Sequence, residues 1–329
     1  MAHLKDIARA SKVSIRTVSR ALKGNGYVDT DVRQRVLRVA KSFGYSPNLT
    51  ARSLRTGKSF DVLAALWHVD ELNMAKLAGL EGSLRHHDYQ LSCLFTSAFG
   101  EDSTKQLLQE ILRRRPAGVV IFTDRFSPQR DCYIARSLVQ AGISYIMVDS
   151  VADDVDSVRI DRSQGVYDAV LQLAAGGRQR IAYWGLTSDS TRWVGYLRAM
   201  QQLGRSPICL ELEDLGDDNL SWATYGRKIT QLSSLPDAIQ VFSDSMAFSL
   251  LGTLHAAGIQ IPQQLAVVGF DDRPMAALAW PPLTTVAQPC RETGAAAADI
   301  LLQKIAGAEA PPQGWSRTLP TRLVIRESA

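Results

Sequence analysis

The 329-residue chain is 46% hydrophobic and carries a formal net charge of +4 at pH 7. Its length exceeds one ordinary core and points to two or three domains, and no apolar run approaches the ~20 residues that span a bilayer. The near-neutral total hides a division: residues 1–58 hold thirteen Lys and Arg against three Asp and Glu, about +10, while the remainder holds twenty-four against thirty, about −6. Cys93, Cys132, Cys209 and Cys290 stand far apart without a CxxC pair, so neither a disulfide nor a metal site is expected. The start Met1-Ala2-His3-Leu4-Lys5 lacks the apolar core of a signal peptide, and a cytoplasmic protein is the expectation.

Residues 1–45 predict three helices. Ile7, Ala8 and Ala10 give the first an apolar face, Val18, Ala21 and Leu22 the second, and Ser11-Lys12 the turn between them. Ser14 stands where a hydroxyl accepts from the free N–H groups of the second helix. The third follows Asp29-Thr30 with Val32, Val36, Val39, Ala40 and Phe43 in phase, and Gly44 ends it. One small core would then leave the second helix open, presenting Ile15, Arg16, Thr17, Ser19 and Arg20. That is the geometry with which a helix-turn-helix enters a DNA major groove, and the charge of this head agrees with it.

Residues 46–58 read as a hinge. Pro47 takes Ser46 out of helical geometry, and 49–57 offer one or two turns stopped by Gly57. So short a helix does not hold alone in water. From residue 59 the pattern becomes strand–helix alternation, with strands expected at 62–67, 89–95, 118–122, 145–148, 180–184, 238–242, 265–269 and 322–325. Helices are expected at 77–87, 104–115, 134–141 and 165–175. This alternation predicts parallel, doubly wound sheets. The acidic break at 153–156 divides the strands into two α/β lobes: lobe 1 at about 60–160 and 288–317, and lobe 2 at about 161–287 and 318–329.

Catalytic signatures do not appear. There is no GxGxxG after the first strand, no GxxxxGK[ST], no HExxH and no GxSxG, and no nucleophile–base pair can be assembled. His86 and His87 are adjacent and face different sides of a helix. The chain is not read as an enzyme, and no cofactor is called for.

Val13-Ser14-Ile15-Arg16-Thr17-Val18-Ser19-Arg20-Ala21-Leu22 resembles the signature of the lactose-repressor/galactose-repressor family of bacterial transcription regulators. The likeness continues through Tyr45-Ser46-Pro47-Asn48, Ala51-Arg52-Ser53-Leu54, Gly269-Phe270-Asp271-Asp272 and Pro282-Leu283-Thr284-Thr285 to Gln288, in family order along the whole chain. It implies a helix-turn-helix head, a hinge helix and a two-lobed body like periplasmic sugar-binding proteins. It further implies a homodimeric repressor on a two-fold symmetric operator in double-stranded DNA, with a small effector such as a sugar between the lobes and no membrane partner. A purine or other non-sugar effector is the alternative within the class. A solute-binding protein with no DNA role is the alternative outside it, and residues 1–58 count against that.

By the same resemblance Ile15 and Arg16 read bases: Arg16 or Arg20 suits a bidentate contact to guanine, and Ile15 a thymine methyl. Leu4, Lys5, Ser14, Thr17, Ser19, Tyr27, Val28, Tyr45 and Asn48 correspond to positions that mostly contact backbone or groove edge and set register, and Ala51 and Arg52 of the hinge are counted with the DNA-binding residues. Leu54 matches the leucine that wedges into the minor groove. In the body the resemblance gives Asp149, Arg192, Asp271 and Gln288 as effector contacts, with helix capping or lobe bridging as their alternatives. Trp67, Trp193 and Trp222 are either walls against a sugar face or core and rim residues.

Three departures stand out. Lys12 replaces a usual turn glycine, at a cost of about 1 kcal/mol where φ is positive. Ser243 replaces a common Asn before Asp244, shortening one effector contact to a hydroxyl. Gly177 replaces a common His. No leucine heptad follows the strand at 322–325, so no tetramer through a C-terminal coiled coil is expected.

Overall fold

The computed structural model describes residues 3–23, 27–45, 53, 56–96, 101–123, 127–187, 191–211, 219–312 and 314–329. The chain divides into two compact units, Met1–Lys58 and Ser59–Ala329.

The first unit holds α1 (Leu4–Ser11), α2 (Ile15–Lys23) and α3 (Thr30–Ser42). Its core is small: Ile7 and Ala8 of α1, Val18 and Ala21 of α2, and Val36 and Ala40 of α3. Caps define the ends. The Thr17 N–H donates to Ser14 Oγ at 3.1 Å, and Asp29 accepts from the Asp31 and Val32 N–H groups at 3.0 and 3.1 Å. Each satisfies donors that the first helical turn leaves free. α1 ends at Lys12, whose φ of 52° and ψ of 44° are left-handed, so this lysine does sit in the conformation that favours glycine. Of the hinge, Gly57 (φ 66°) donates its N–H to the Ser53 carbonyl at 2.8 Å.

The second unit contains two six-stranded sheets. The first runs β11 (Arg317–Leu319), β5 (Ser157–Ile160), β4 (Ser144–Val148), β3 (Gly118–Phe122), β1 (Asp61–Leu66), β2 (Gln90–Phe95), all parallel. The second runs β12 (Arg322–Val324), β10 (Thr284–Ala287), β9 (Ala266–Asp271), β8 (Ala238–Val241), β6 (Ile181–Gly185), β7 (Ile208–Glu211). Only β12 is antiparallel to its neighbour. β3, β6, β8 and β9 are buried along their whole length, as a sheet covered on both faces requires. Lobe 1 carries α4 (Glu71–His86), α5 (Glu101–Arg114), α6 (Pro128–Gln140) and α11 (Cys290–Ile305); lobe 2 carries α7 (Arg162–Ala175), α8 (Thr191–Gln202), α9 (Asn219–Thr230) and α10 (Asp244–Ala256). The chain passes between lobes three times: after β5, after β10 and between β11 and β12.

Two glycines let α4 and α11 touch backbone to backbone. A Cβ on Gly294 would lie 1.8 Å from the Lys76 carbonyl oxygen, and one on Gly79 would lie 2.0 Å from that of Arg291. This contact fixes the turn of α4 that carries Lys76. Among the described residues no helix is long and apolar enough to cross a membrane, and no group of three His, Cys, Asp or Glu is placed to hold a metal ion.

Candidate DNA interface and ligand cleft

The amphipathic pattern of α2 turns Val18 and Ala21 into the core of the head and leaves Ile15, Arg16 and Arg20 exposed. Ile15 keeps 43% of its surface free although it is a large apolar side chain. Thr17 is half-buried and its hydroxyl pairs with Ser14 Oγ at 2.8 Å; Ser19 is also half-buried. Lys5 and Tyr27 are exposed on the same unit. Leu4, Val28 and Tyr45 pack against the head core, so each has a structural task whatever else it touches. Asn48, Ala51, Arg52 and Leu54 lie outside the described residues.

In the body, a cavity of about 260 Å3 opens where the parallel strands end. This is the position at which open α/β sheets bind ligands, because strand C-termini and the loops after them leave a crevice. β4 delivers Asp149, β9 Asp271, β10 Gln288, and the turn after β8 delivers Phe242 and Ser243; α8 contributes Arg192. Five of the sequence-derived residues therefore meet: Asp149, Arg192, Ser243, Asp271 and Gln288 line one cavity.

The three tryptophans do not line it. Trp67 is 7% exposed in the lobe-1 core beneath the Arg130 guanidinium, 4.6 Å from its ring centre. Trp193 packs on Tyr183 and Tyr196 with ring centres 5.2 and 5.1 Å away. Trp222 packs against the lobe-2 core. Apolar burial decides all three, so their place is the core and rim.

The cleft is dominated by buried ions. Lys76 Nζ donates to Asp149 Oδ2 at 2.5 Å, and Arg162 Nη2 lies 2.9 Å from Oδ1. Burial alone would raise the Asp149 carboxyl; Arg162 and Lys76 outweigh it and hold it well below the usual range. Asp271 receives Gln288 Nε2 at 2.6 Å and Arg192 Nη2 at 3.3 Å on one oxygen. Burial leaves its carboxyl raised in spite of Arg192 and Arg273. Arg192 is sandwiched between Phe242 and Phe270, 4.3 and 4.2 Å from the ring centres, a cation–π stack that fixes its fork.

Both strand-end carboxylates stand on backbone at positive φ, 68° at Asp149 and 126° at Asp271. Such conformations cost about 1–3 kcal/mol each and persist where the surroundings over-determine them; here the ion pairs do so. Ser243 caps α10, accepting from the Met246 N–H at 3.4 Å. Asp244 beside it is buried, accepts from Thr285 Oγ1 at 2.6 Å and the Arg273 N–H at 2.8 Å, and is pushed up to about 6 mainly by burial.

Sequence reasoning missed Lys76, Arg162 and Arg273. Arg273 reaches from lobe 2 to Asp70 and Glu71 of lobe 1 at 2.9 and 2.7 Å. Their one sequence signal was weak: Lys76 falls on the apolar face of its helix, three residues before Gly79, where a charge has to find a partner.

A basic three-helix unit that exposes one helix, together with a two-lobed α/β unit closing on a polar cleft, defines the architecture of a ligand-responsive DNA-binding regulator. Comparison with known proteins agrees. Residues 3–48 match the model of bacterial regulatory proteins of the lacI family, and residues 170–329 match the periplasmic binding protein-like domain. Catabolite control protein A of Priestia megaterium is 28% identical, with 98% of each chain covered. The transcriptional repressor CytR of Escherichia coli K12 is 27% identical over 99% of this chain and 96% of that one. In fold, the chain is similar to the lac repressor dimer bound to operator and the anti-inducer ONPF (TM-score 0.80, 23% identity, 99% and 98% covered). It is also similar to the regulator CelR in complex with cellobiose (TM-score 0.71, 24% identity, both chains covered fully). The chain belongs to the lacI family of bacterial transcriptional regulators.

Proposed function

We propose that the protein is a cytoplasmic repressor that binds a two-fold symmetric operator as a homodimer and changes its affinity when a small hydroxylated effector, a sugar or sugar derivative, enters the cleft. The observation that carries the DNA reading is α2: Ile15, Arg16 and Arg20 are held outward by a helix whose opposite face is core. An exposed isoleucine followed by Arg16 and, on the same helix, Arg20 has no use in folding and suits a groove in which thymine methyls and guanine edges are read. Leu54, in the family's wedge position, adds an unstacking contact in the minor groove, and Leu54→Ala weakens specific DNA binding strongly.

The effector reading rests on the cleft, where Arg192 and Gln288 keep buried polar atoms without a protein partner, Nε and Oε1. A purine finds little support, because none of the tryptophans lines the cavity and Arg192 covers one face of Phe242. For the dimer, Met275, Leu278 and Trp280 form an exposed apolar run on lobe 2, with Trp280 79% exposed. Patches of this kind mark protein interfaces.

The test is selection of duplexes from a random pool by the purified protein. The expected product is a palindrome whose half-sites repeat with the symmetry of a dimer. Recovery of no preferred sequence, or of single half-sites only, overturns the reading.

A further inference from the structure

Hydroxyl groups both give and take hydrogen bonds, so a site built for a neutral sugar needs acceptors as well as donors. The innermost part of this cleft is rich in cationic donors: Lys76, Arg162 and Arg192 meet only two carboxylates, Asp149 and Asp271. Both oxygens of Asp149 face cations: Oδ2 accepts from Lys76, and Oδ1 lies 2.9 Å from Arg162 Nη2 without hydrogen-bond geometry. Asp271 Oδ1 is engaged by Gln288 and Arg192, and its Oδ2 faces Arg273 Nε at 3.7 Å. The donors, by contrast, are in surplus. Lys has three N–H groups and Arg five, and Lys76 and Arg162 each direct one at the same carboxylate, Asp149. Arg192 Nε is buried with no hydrogen-bond partner, in a side chain 9% exposed.

We infer that the effector is an acid, a sugar or polyol carrying a carboxylate or a phosphate monoester, whose anionic group is taken by Lys76, Arg162 and Arg192. This rests on the effector reading above and sharpens it. In this arrangement Asp149 is the fixed counter-ion that keeps Lys76 and Arg162 aimed while the cleft is empty. Gln288 Oε1 and Ser243 remain for the hydroxylated remainder of the molecule. An acid brings acceptor oxygens to donors that otherwise stay unpaired, and charge-assisted hydrogen bonds of that kind are about twice as strong as neutral ones.

The experiment uses the full-length protein and matched probes on one skeleton: D-glucose, D-gluconate, D-glucuronate and D-glucose 6-phosphate, with the corresponding galactose set beside them. Binding is read by thermal shift and then by calorimetric titration. At least one acid is expected to bind at least ~10-fold more tightly than its neutral parent, about 1.4 kcal/mol, with an affinity that falls as sodium chloride is raised. The carboxylate and phosphate members separate the two sources of the anionic group. Arg162→Gln, and independently Lys76→Met, are expected to bring the acid-to-neutral ratio toward one. A neutral sugar bound as tightly as its acids in the wild type overturns this inference and leaves the sugar reading standing. An acid preference unchanged in both folded variants also overturns it. Absence of binding by every member, neutral and acidic, counts against the sugar reading and this inference together.

Discussion

The two units use charge in opposite ways. The head keeps its cations outside: Arg16 and Arg20 are exposed, and its core of Ile7, Ala8, Val18, Ala21, Val36 and Ala40 contains no ion. The body carries its working charges inside, with Lys76, Asp149, Arg192 and Asp271 all buried. Residues that act from a surface can change without cost to the fold. Residues that act from a buried network hold the fold as well as the ligand, because each leaves an unpaired ion behind when removed. Function and stability are thus separable in the head and coupled in the body.

The largest effect that would break this contrast is expected at Arg192. Replacing it with alanine leaves Asp271 without its buried guanidinium partner and should destabilise the body by about 3–5 kcal/mol, read in urea unfolding. A loss near zero would mean that water already screens the pair. Next comes the glycine contact beneath Lys76. Gly294→Ala forces a methyl against the Lys76 carbonyl, and overpacking of this kind costs about 1–3 kcal/mol. Ligand affinity should fall with it, since α4 must shift.

A pH titration sharpens the comparison further. The Asp244 carboxyl is raised to about 6 in the fold from an ordinary 3.8, so the folded body binds more protons than the unfolded chain between those values. Its contribution is fully present below pH 3.8 and lost as pH rises through 6, on the order of 3 kcal/mol. Asp271 and Asp131 are raised in the same direction, also mainly by burial. Melting of the body should therefore move to higher temperature on acidification from pH 7 to pH 5, and Asp244→Asn should flatten that slope. The smallest effect is in the head: Lys12→Gly relieves a left-handed lysine and should stabilise it by about 1 kcal/mol.

The same contrast explains what the sequence disclosed. The head was legible because its information is local: the cap at Ser14, the period of Val18 and Ala21, and the stop at Gly44 all lie within one or two turns of what they control. Inner strands such as β3 and β4 were legible as unbroken apolar runs. Helix starts were not, since α4, α6 and α7 open with polar turns capped or led by Asp70, Pro128 and Asp161, ahead of any apolar period. Short edge or crossover strands, β5, β7, β10 and β11, were passed over for the same lack of pattern. In the cleft, Asp149 and Asp271 came from the family resemblance, which sets them at the ends of apolar strands. The pairings could not be read: Lys76 stands 73 positions from Asp149, Arg192 stands 79 from Asp271, and Arg273 stands 203 from Asp70. No local pattern spans such distances.

The central claim is that the outward face of α2 reads base sequence. It is tested most directly by titrating wild type and Arg16→Ala against the selected palindrome and a scrambled duplex of equal length, at several salt concentrations. Binding of the wild type should fall steeply with salt on both duplexes. Arg16→Ala should lose about 1–3 kcal/mol on the palindrome, with fold stability unchanged within about 0.5 kcal/mol. Equal affinity of wild type for the two duplexes, or an Arg16→Ala protein that discriminates as well as wild type, would contradict the account.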